Sequence, residues 1–205
     1  MTDTKLLLAT TNRGKTQEIK EFLKGLPVRI YSLHDLNIKA FFEEKGRTFL
    51  DNAEGKSLFY SQNWEDMILG EDSGLEIDHL DGAPGIVSAR FSDPGATDEK
   101  NIQKVLLLMK DVPPKDRLAR FVSCMVLSRK GKVLTTIQEE VQGVINTEKK
   151  GRSGFGYDPI FYYPPLQKTF AELAPAEKNK VSHRGQALTR LKDYLRKNIS
   201  HFSES

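Results

Sequence analysis

Residues 5–10, Lys-Leu-Leu-Leu-Ala-Thr, are followed by a break at Thr11-Asn12-Arg13-Gly14 and then by apolar side chains at Ile19, Phe22, Leu23 and Leu26. The first run reads as a buried strand. The second has the i, i+3, i+4, i+7 spacing of an amphipathic helix, which Gly25 and Pro27 end. Strand, glycine-containing turn and helix in that order need a sheet for the helix to cover, which points the chain towards the α/β classes.

The rest of the chain agrees. A short strand is predicted over Val28–Tyr31 and a helix over Thr48–Ser61, with Asn52 and Lys56 four apart on one face. Two strands, Met67–Leu69 and Leu75–Ile77, flank an acidic turn, and Asp81–Gly85 is a tight loop. A helix over Thr97–Lys110 has Thr97 as cap, Asp98 and Glu99 in its first turn, and a buried stripe of Ile102, Val105, Leu106 and Met109. Long strands over Arg117–Ser128 and Lys132–Ile145 meet at Lys130-Gly131, an antiparallel hairpin signal. Residues 151–159 read as loop, Ile160–Tyr163 as a short strand, and 174–182 as charged and irregular. The last helix follows Ser182, with Ala187, Leu188, Leu191 and Leu195 inward and a frayed tail from about Ile199. Early strand–helix alternation followed by a hairpin predicts one α/β domain on a mixed sheet.

A chain of 205 residues can bury roughly 70% of the surface its unfolded form exposes, enough for one substantial core. No apolar run approaches the roughly 20 residues of a membrane helix, and the first residues lack a signal-peptide pattern. The one cysteine, Cys124, excludes an internal disulfide and favours a reducing, cytoplasmic setting. The formal net charge of +3 is spread among nearly as many acids, without the basic stripe of a nucleic-acid binder. A basic pocket for a small anion is compatible with it.

Two stretches carry chemistry. Gly70-Glu71-Asp72-Ser73-Gly74-Leu75-Glu76 places three carboxylates beside an apolar run, either a metal site on a strand or a solvated acidic turn. Ala9–Thr16 follows a strand and opens a helix, a setting for anions at the helix N-terminus. It nearly fits the P-loop pattern, with Ala9 in place of the first glycine. A P-loop kinase or NTPase is therefore one reading, although it leaves Gly154–Asp158 and Ser182–Gly185 without a role.

Taken together, the segments resemble the inosine triphosphate pyrophosphatase family, enzymes that remove non-standard purine nucleoside triphosphates. In family order they are Ala9–Lys15; Gly46–Phe49 leading to Asn52, Ala53 and Lys56; Glu71–Leu75; Gly82–Phe91; Gly154–Phe161; Thr169–Leu173; Glu177-Lys178; and Ser182–Gly185. The family usually has Asp where this chain has Glu71, and Glu where it has Asp51. The resemblance implies an elongated mixed sheet flanked by helices, two lobes around a central substrate cleft, and a homodimer.

It also implies roles. The reaction gives NMP and pyrophosphate from NTP and water, with Mg2+ as cofactor. Glu44 and Asp72 match the metal positions, and Asp72 also matches the residue acting on the water. Thr10, Asn12, Lys15, Lys56, Ser73 and Lys178 match phosphate-binding positions. Phe155 matches a ring that stacks on the purine, and Asp158, His183 and Arg184 match base recognition. Donors at the base pair with a 6-keto group and are left unpaired by adenine. His34, His79 and His201 read as structural or exposed, and Glu76 as an exposed strand residue. A non-catalytic nucleotide-binding protein is the third reading.

Overall fold

The computed structural model describes residues 4–203. Its strands are β1 (Lys5–Ala9), β2 (Arg29–Ser32), β3 (Met67–Ile77), β4 (Leu118–Arg129), β5 (Lys132–Ile145), β6 (Phe161–Tyr163) and β7 (Lys168–Thr169). Its α-helices are α1 (Arg13–Phe22), α2 (Phe49–Ser61), α3 (Asp98–Leu108), α4 (Pro175–Val181) and α5 (His183–Ser203). The described strands form one sheet in the order β2-β1-β3-β4-β5-β6-β7. β1 runs parallel to β2 and β3, whereas β6 is antiparallel to β5 and β7. The fold is α/β on a mixed sheet, as the alternation predicts. β4 and β5 are joined by Lys130 and Gly131, both at positive φ (49° and 73°), the two-residue hairpin turn that matches strand twist.

The chain divides into two compact units. The first comprises residues 1–72, 123–139 and 186–205. There β1 is buried on both faces, as a strand inside a parallel sheet must be. Leu6 and Leu8 pack with Ile19, Leu23, Leu188 and Leu191, while Leu7 and Ala9 pack with Leu33, Tyr60 and Ile68. The second unit comprises residues 73–122 and 140–185, around Leu75, Ile77, Val105, Phe121, Phe161 and Phe170. No helix among the described residues is long and apolar enough to cross a membrane.

Three expectations are corrected. The acidic stretch is no turn: β3 is continuous, and Glu71 and Asp72 lie inside it. Gly70 accounts for this, because it takes the place of a side chain that could not fit. A Cβ there would sit 2.0 Å from the Ala53 carbonyl oxygen, so α2 rests directly on the strand. Residues 175–181 are helical, with Pro175 in the first turn and Glu177 accepting the Ala174 amide at 3.1 Å. Finally, α5 continues past Ile199 to Ser203.

Candidate active site

Only residues 10–12 separate β1 from α1. Asn12 Oδ1 accepts the Lys15 amide at 3.0 Å and caps the helix, while Thr10 Oγ1 accepts the Asn12 amide at 3.2 Å. Lys15 then points at β3, its Nζ 2.8 Å from Glu71 Oε2. From α2, Lys56 Nζ lies 2.6 Å from Glu44 Oε1 and 3.1 Å from Asp72 Oδ1. It also donates to the Glu71 carbonyl at 3.1 Å. Asn52, one turn earlier on the same face, donates to Asp72 Oδ2 at 3.1 Å. Three carboxylates and two ammonium groups thus meet in the first unit. Asn52 and Lys56 both come from α2, which opens on a capping box between Thr48 and Asp51.

Burial raises the Asp72 carboxyl above its ordinary range; Lys56 and Lys15 pull it down, and Glu44 and Glu71 push it further up. Burial alone would depress Lys56, but the charges of Asp72 and Glu44 outweigh it and leave its pKa raised. A cavity of about 40 Å³, about the room of one water, is lined by Thr10, Thr11, Phe41, Glu44, Lys56 and Tyr60. A larger cavity of about 1050 Å³ runs along α1 past Arg13, Lys20 and Lys24. Its acids are Glu21 and Asp35, the latter bound to Lys20, whereas the smaller one is lined by Glu44 and Lys56 of the acid–lysine cluster.

The residues fit a magnesium ion. Among the described residues no group of three or more His, Cys, Asp or Glu is arranged to hold a metal. Magnesium does not require one: it is commonly bound by one or two carboxylates together with water and substrate phosphate oxygens. Glu44 and Asp72 present hard oxygen donors to one ammonium group, and burial disfavours an uncompensated Asp72 charge.

The residues that the resemblance assigns to the base lie in the second unit. Lys178 Nζ is 5.0 Å and Arg184 Cζ 5.3 Å from the Phe155 ring centroid. Asp158 Oδ2 accepts the Phe155 amide at 3.0 Å and Lys178 Nζ at 2.6 Å. Ser182 Oγ accepts the Gly185 amide at 3.1 Å, which places His183 and Arg184 in the first turn of α5. The His183 ring stacks on Phe121 with centroids 4.7 Å apart, and Arg184 donates to Ser73 Oγ at 2.7 Å. Asp98, from the start of α3, accepts the Gly156 amide at 2.7 Å.

The structure therefore brings Thr10, Asn12, Lys15, Glu44, Lys56 and Asp72 into one unit, and Ser73, Phe155, Asp158, Lys178, His183 and Arg184 into the other. Lys178, which the resemblance assigns to the phosphates, is paired with Asp158 beside Phe155. Sequence reasoning left the role of Glu71 open; its side chain is 1% exposed and paired with Lys15. It also gave Asn52 and Asp98 only spacing and helix-end roles. Glu76 is half-buried and pairs with Arg120 at 2.7 Å. His34 and His79 are exposed, and the His201 side chain lies outside the described residues.

The P-loop reading meets two obstacles. α1 has begun at Arg13, ahead of Gly14, and the Thr16 hydroxyl donates back to the Asn12 carbonyl at 3.0 Å. What the fold and cluster define is an α/β protein with buried acids and lysines suited to a polyanion and its metal. The chain belongs to the Ham1 family, which it matches over residues 6–194. A dITP/XTP pyrophosphatase of Thermoanaerobacter pseudethanolicus is 43% identical over 195 residues, covering 95% of this chain and 98% of the relative. A solved HAM1 protein from Coxiella burnetii has a TM-score of 0.85 at 37% identity, over 95% of this chain and 99% of that one. The Staphylococcus aureus Ham1 protein has a TM-score of 0.84 at 34% identity, with the same coverage of both chains.

Proposed function

We propose that this chain hydrolyses non-standard purine nucleoside triphosphates (ITP, dITP and XTP) to the nucleoside monophosphate and pyrophosphate, by attack of water on the α-phosphorus. The observation that carries the reading is Asp72, 6% exposed and bonded on one oxygen to Lys56 and on the other to Asn52. A buried carboxylate with a raised pKa, held by its neighbours, is suited to take a proton from water. Glu44 and Asp72 would hold the magnesium, which when bound would supply neutralisation of phosphate charge and acidification of water. Lys15 and Lys56 neutralise the phosphates, and Thr10, Asn12 and Ser73 bind them.

Phe155 stacks on the purine, and such stacking is worth roughly 1–3 kcal/mol per base. His183 and Arg184 donate towards a 6-keto group, Lys178 and Asp158 hold the stacking loop, and the amine of adenine leaves those donors unpaired. The reading includes a cytoplasmic homodimer, supported by the resemblance and tested by sedimentation.

The deciding experiment is a panel of nucleoside triphosphates with Mg2+, quantifying monophosphate, pyrophosphate and orthophosphate. Monophosphate and pyrophosphate from ITP, dITP and XTP, with ATP turned over far more slowly, is the expected result. Orthophosphate or a phosphorylated acceptor instead would return the P-loop reading. Tight ITP binding without turnover would make the chain a nucleotide-binding protein.

A further inference from the structure

We propose that Asn52 is a positioning residue that fixes the two metal carboxylates, Asp72 and Glu44, relative to each other. The inference rests on the reading of those two side chains as the metal pair. Asn52 is 0% exposed. Its Nδ2 donates to Asp72 Oδ2 at 3.1 Å, and its Oδ1 accepts the amide of Gly46, two residues after Glu44, at 2.9 Å. A carboxamide carries a donor and an acceptor on one rigid plane, and this orientation pairs both ends correctly. Aspartate there has no donor for Asp72, and serine has one oxygen where two separated atoms are needed.

Residues 40–46 are held along α2 at three places. Gly46 sits on Asn52, and a Cβ on Gly46 would come within 2.5 Å of the Asn52 oxygen. The Phe42 ring covers Gly55, where a Cβ would meet it at 2.4 Å. The Tyr60 hydroxyl donates to the Ala40 carbonyl at 2.9 Å. Of the three, the Asn52 contact is the one that also grips Asp72. Glu44 comes from a loop and Asp72 from β3, and this side chain bonds both segments. With Oδ2 held by Asn52, Asp72 turns Oδ1 to the Lys56 ammonium that Glu44 shares.

The test uses the full chain without nucleotide and Mn2+ as a hard-oxygen probe read by electron paramagnetic resonance, with ITP kinetics in Mg2+ alongside. Four proteins are compared: the parent, Asn52→Ala, Asp72→Asn and Thr48→Ala. Thr48 caps the same helix, accepting the Asp51 amide at 3.0 Å, so its loss loosens α2 without touching either carboxylate. Losing an outer-shell partner typically costs about 10–100-fold in metal affinity. That is the expected weakening in Asn52→Ala, with kcat reduced and KM for ITP within about threefold of the parent. Thr48→Ala should melt earlier and bind Mn2+ as the parent does.

An Asn52→Ala protein that shifts Mn2+ affinity no more than Thr48→Ala overturns the proposal and leaves the metal reading standing, provided Asp72→Asn loses Mn2+. If Asp72→Asn binds Mn2+ like the parent, the metal reading and the proposal fall together. Should Asn52→Ala not fold, Gly46→Ala pushes the loop off the intact Asn52 oxygen. Weakened Mn2+ binding in that variant supports the proposal, and parent-like binding overturns it.

Discussion

Lys15 Nζ and Glu71 Oε2 lie 2.8 Å apart, with the Glu71 side chain 1% exposed and that of Lys15 12% exposed. The pair ties the first turn of α1 to the middle of β3. Removing one partner of a buried pair is far costlier than the pair is worth, because the other charge stays buried. Lys15→Met should therefore lower stability by about 3 kcal/mol. Adding Glu71→Gln should restore most of that loss. Urea unfolding of the single and double variants measures it, and equal losses in the two would show that the buried Glu71 charge is not the cause.

Asp72→Asn keeps the shape of the side chain and removes the proton acceptor. A general base contributes about 10²–10⁴-fold, so kcat for ITP should fall by at least about 10²-fold. Lys15, Lys56, Phe155, His183 and Arg184 are unchanged, and nucleotide affinity by calorimetry without divalent metal should stay close to the parent. Near-normal turnover in this variant removes Asp72 from the chemistry.

Asp98 reaches from the start of α3 to the Gly156 amide at 2.7 Å, next to Phe155. This bond holds the loop that carries Phe155. Hydrogen bonds to charged groups are worth about 1.5–3 kcal/mol, and this one is exposed. Asp98→Ala should raise KM for ITP by about three- to tenfold at nearly constant kcat. Asp98→Asn retains an acceptor and should return KM most of the way. Equal KM values in the alanine and asparagine variants would mean that charge at the helix start, not the bond, matters.

Much of the fold was legible because its signals are local. The run at residues 5–10 and the stripe Ile19, Phe22, Leu23 announce β1 and α1, and the Lys130-Gly131 turn announces the hairpin. The continuity of β3 was not, because glycine beside acidic residues reads as a turn unless the helix lying on Gly70 is known. Charge at 174–182 hid α4 for a similar reason: Lys178 is 5% exposed against Asp158, a partner twenty residues away. The candidate site was legible through its ordered segments. The pairings of Asn52, Glu71 and Asp98 were not, since each is made with a partner distant in sequence.

Asp35 offers a pH test away from the acid cluster. The hydrogen bond from Lys20, then that from the Ser32 amide, hold its carboxyl down at about 2 against the usual 3.8. A depressed carboxylate contributes stability above its unfolded pKa and loses it as pH falls through the folded one. Asp35→Asn can still accept the Ser32 amide but cannot pair with Lys20. It should be less stable than the parent at pH 6 by about 0.5 kcal/mol, in the range of exposed ion pairs. The gap should close as pH falls from 3.8 towards about 2. Denaturant melts across that window measure it, and a gap of constant size would exclude the ion pair as its source.

Gly70→Ala tests whether the flush contact of α2 on β3 is what assembles the acid cluster. The new methyl would lie 2.0 Å from the Ala53 carbonyl oxygen and 2.8 Å from the Ser57 amide nitrogen, both backbone atoms that no rotamer change relieves. α2 must therefore withdraw, and Asn52 and Lys56 withdraw with it from Asp72. Overpacking of this kind costs about 1–3 kcal/mol, and a backbone clash belongs at the upper end. Ala53→Gly should not rescue the variant, because the obstacle is the carbonyl and not the alanine methyl. The expected result is a lower melting temperature together with weakened Mn2+ binding. If binding stays at the parent level while stability falls, the cluster does not depend on how closely α2 approaches the strand.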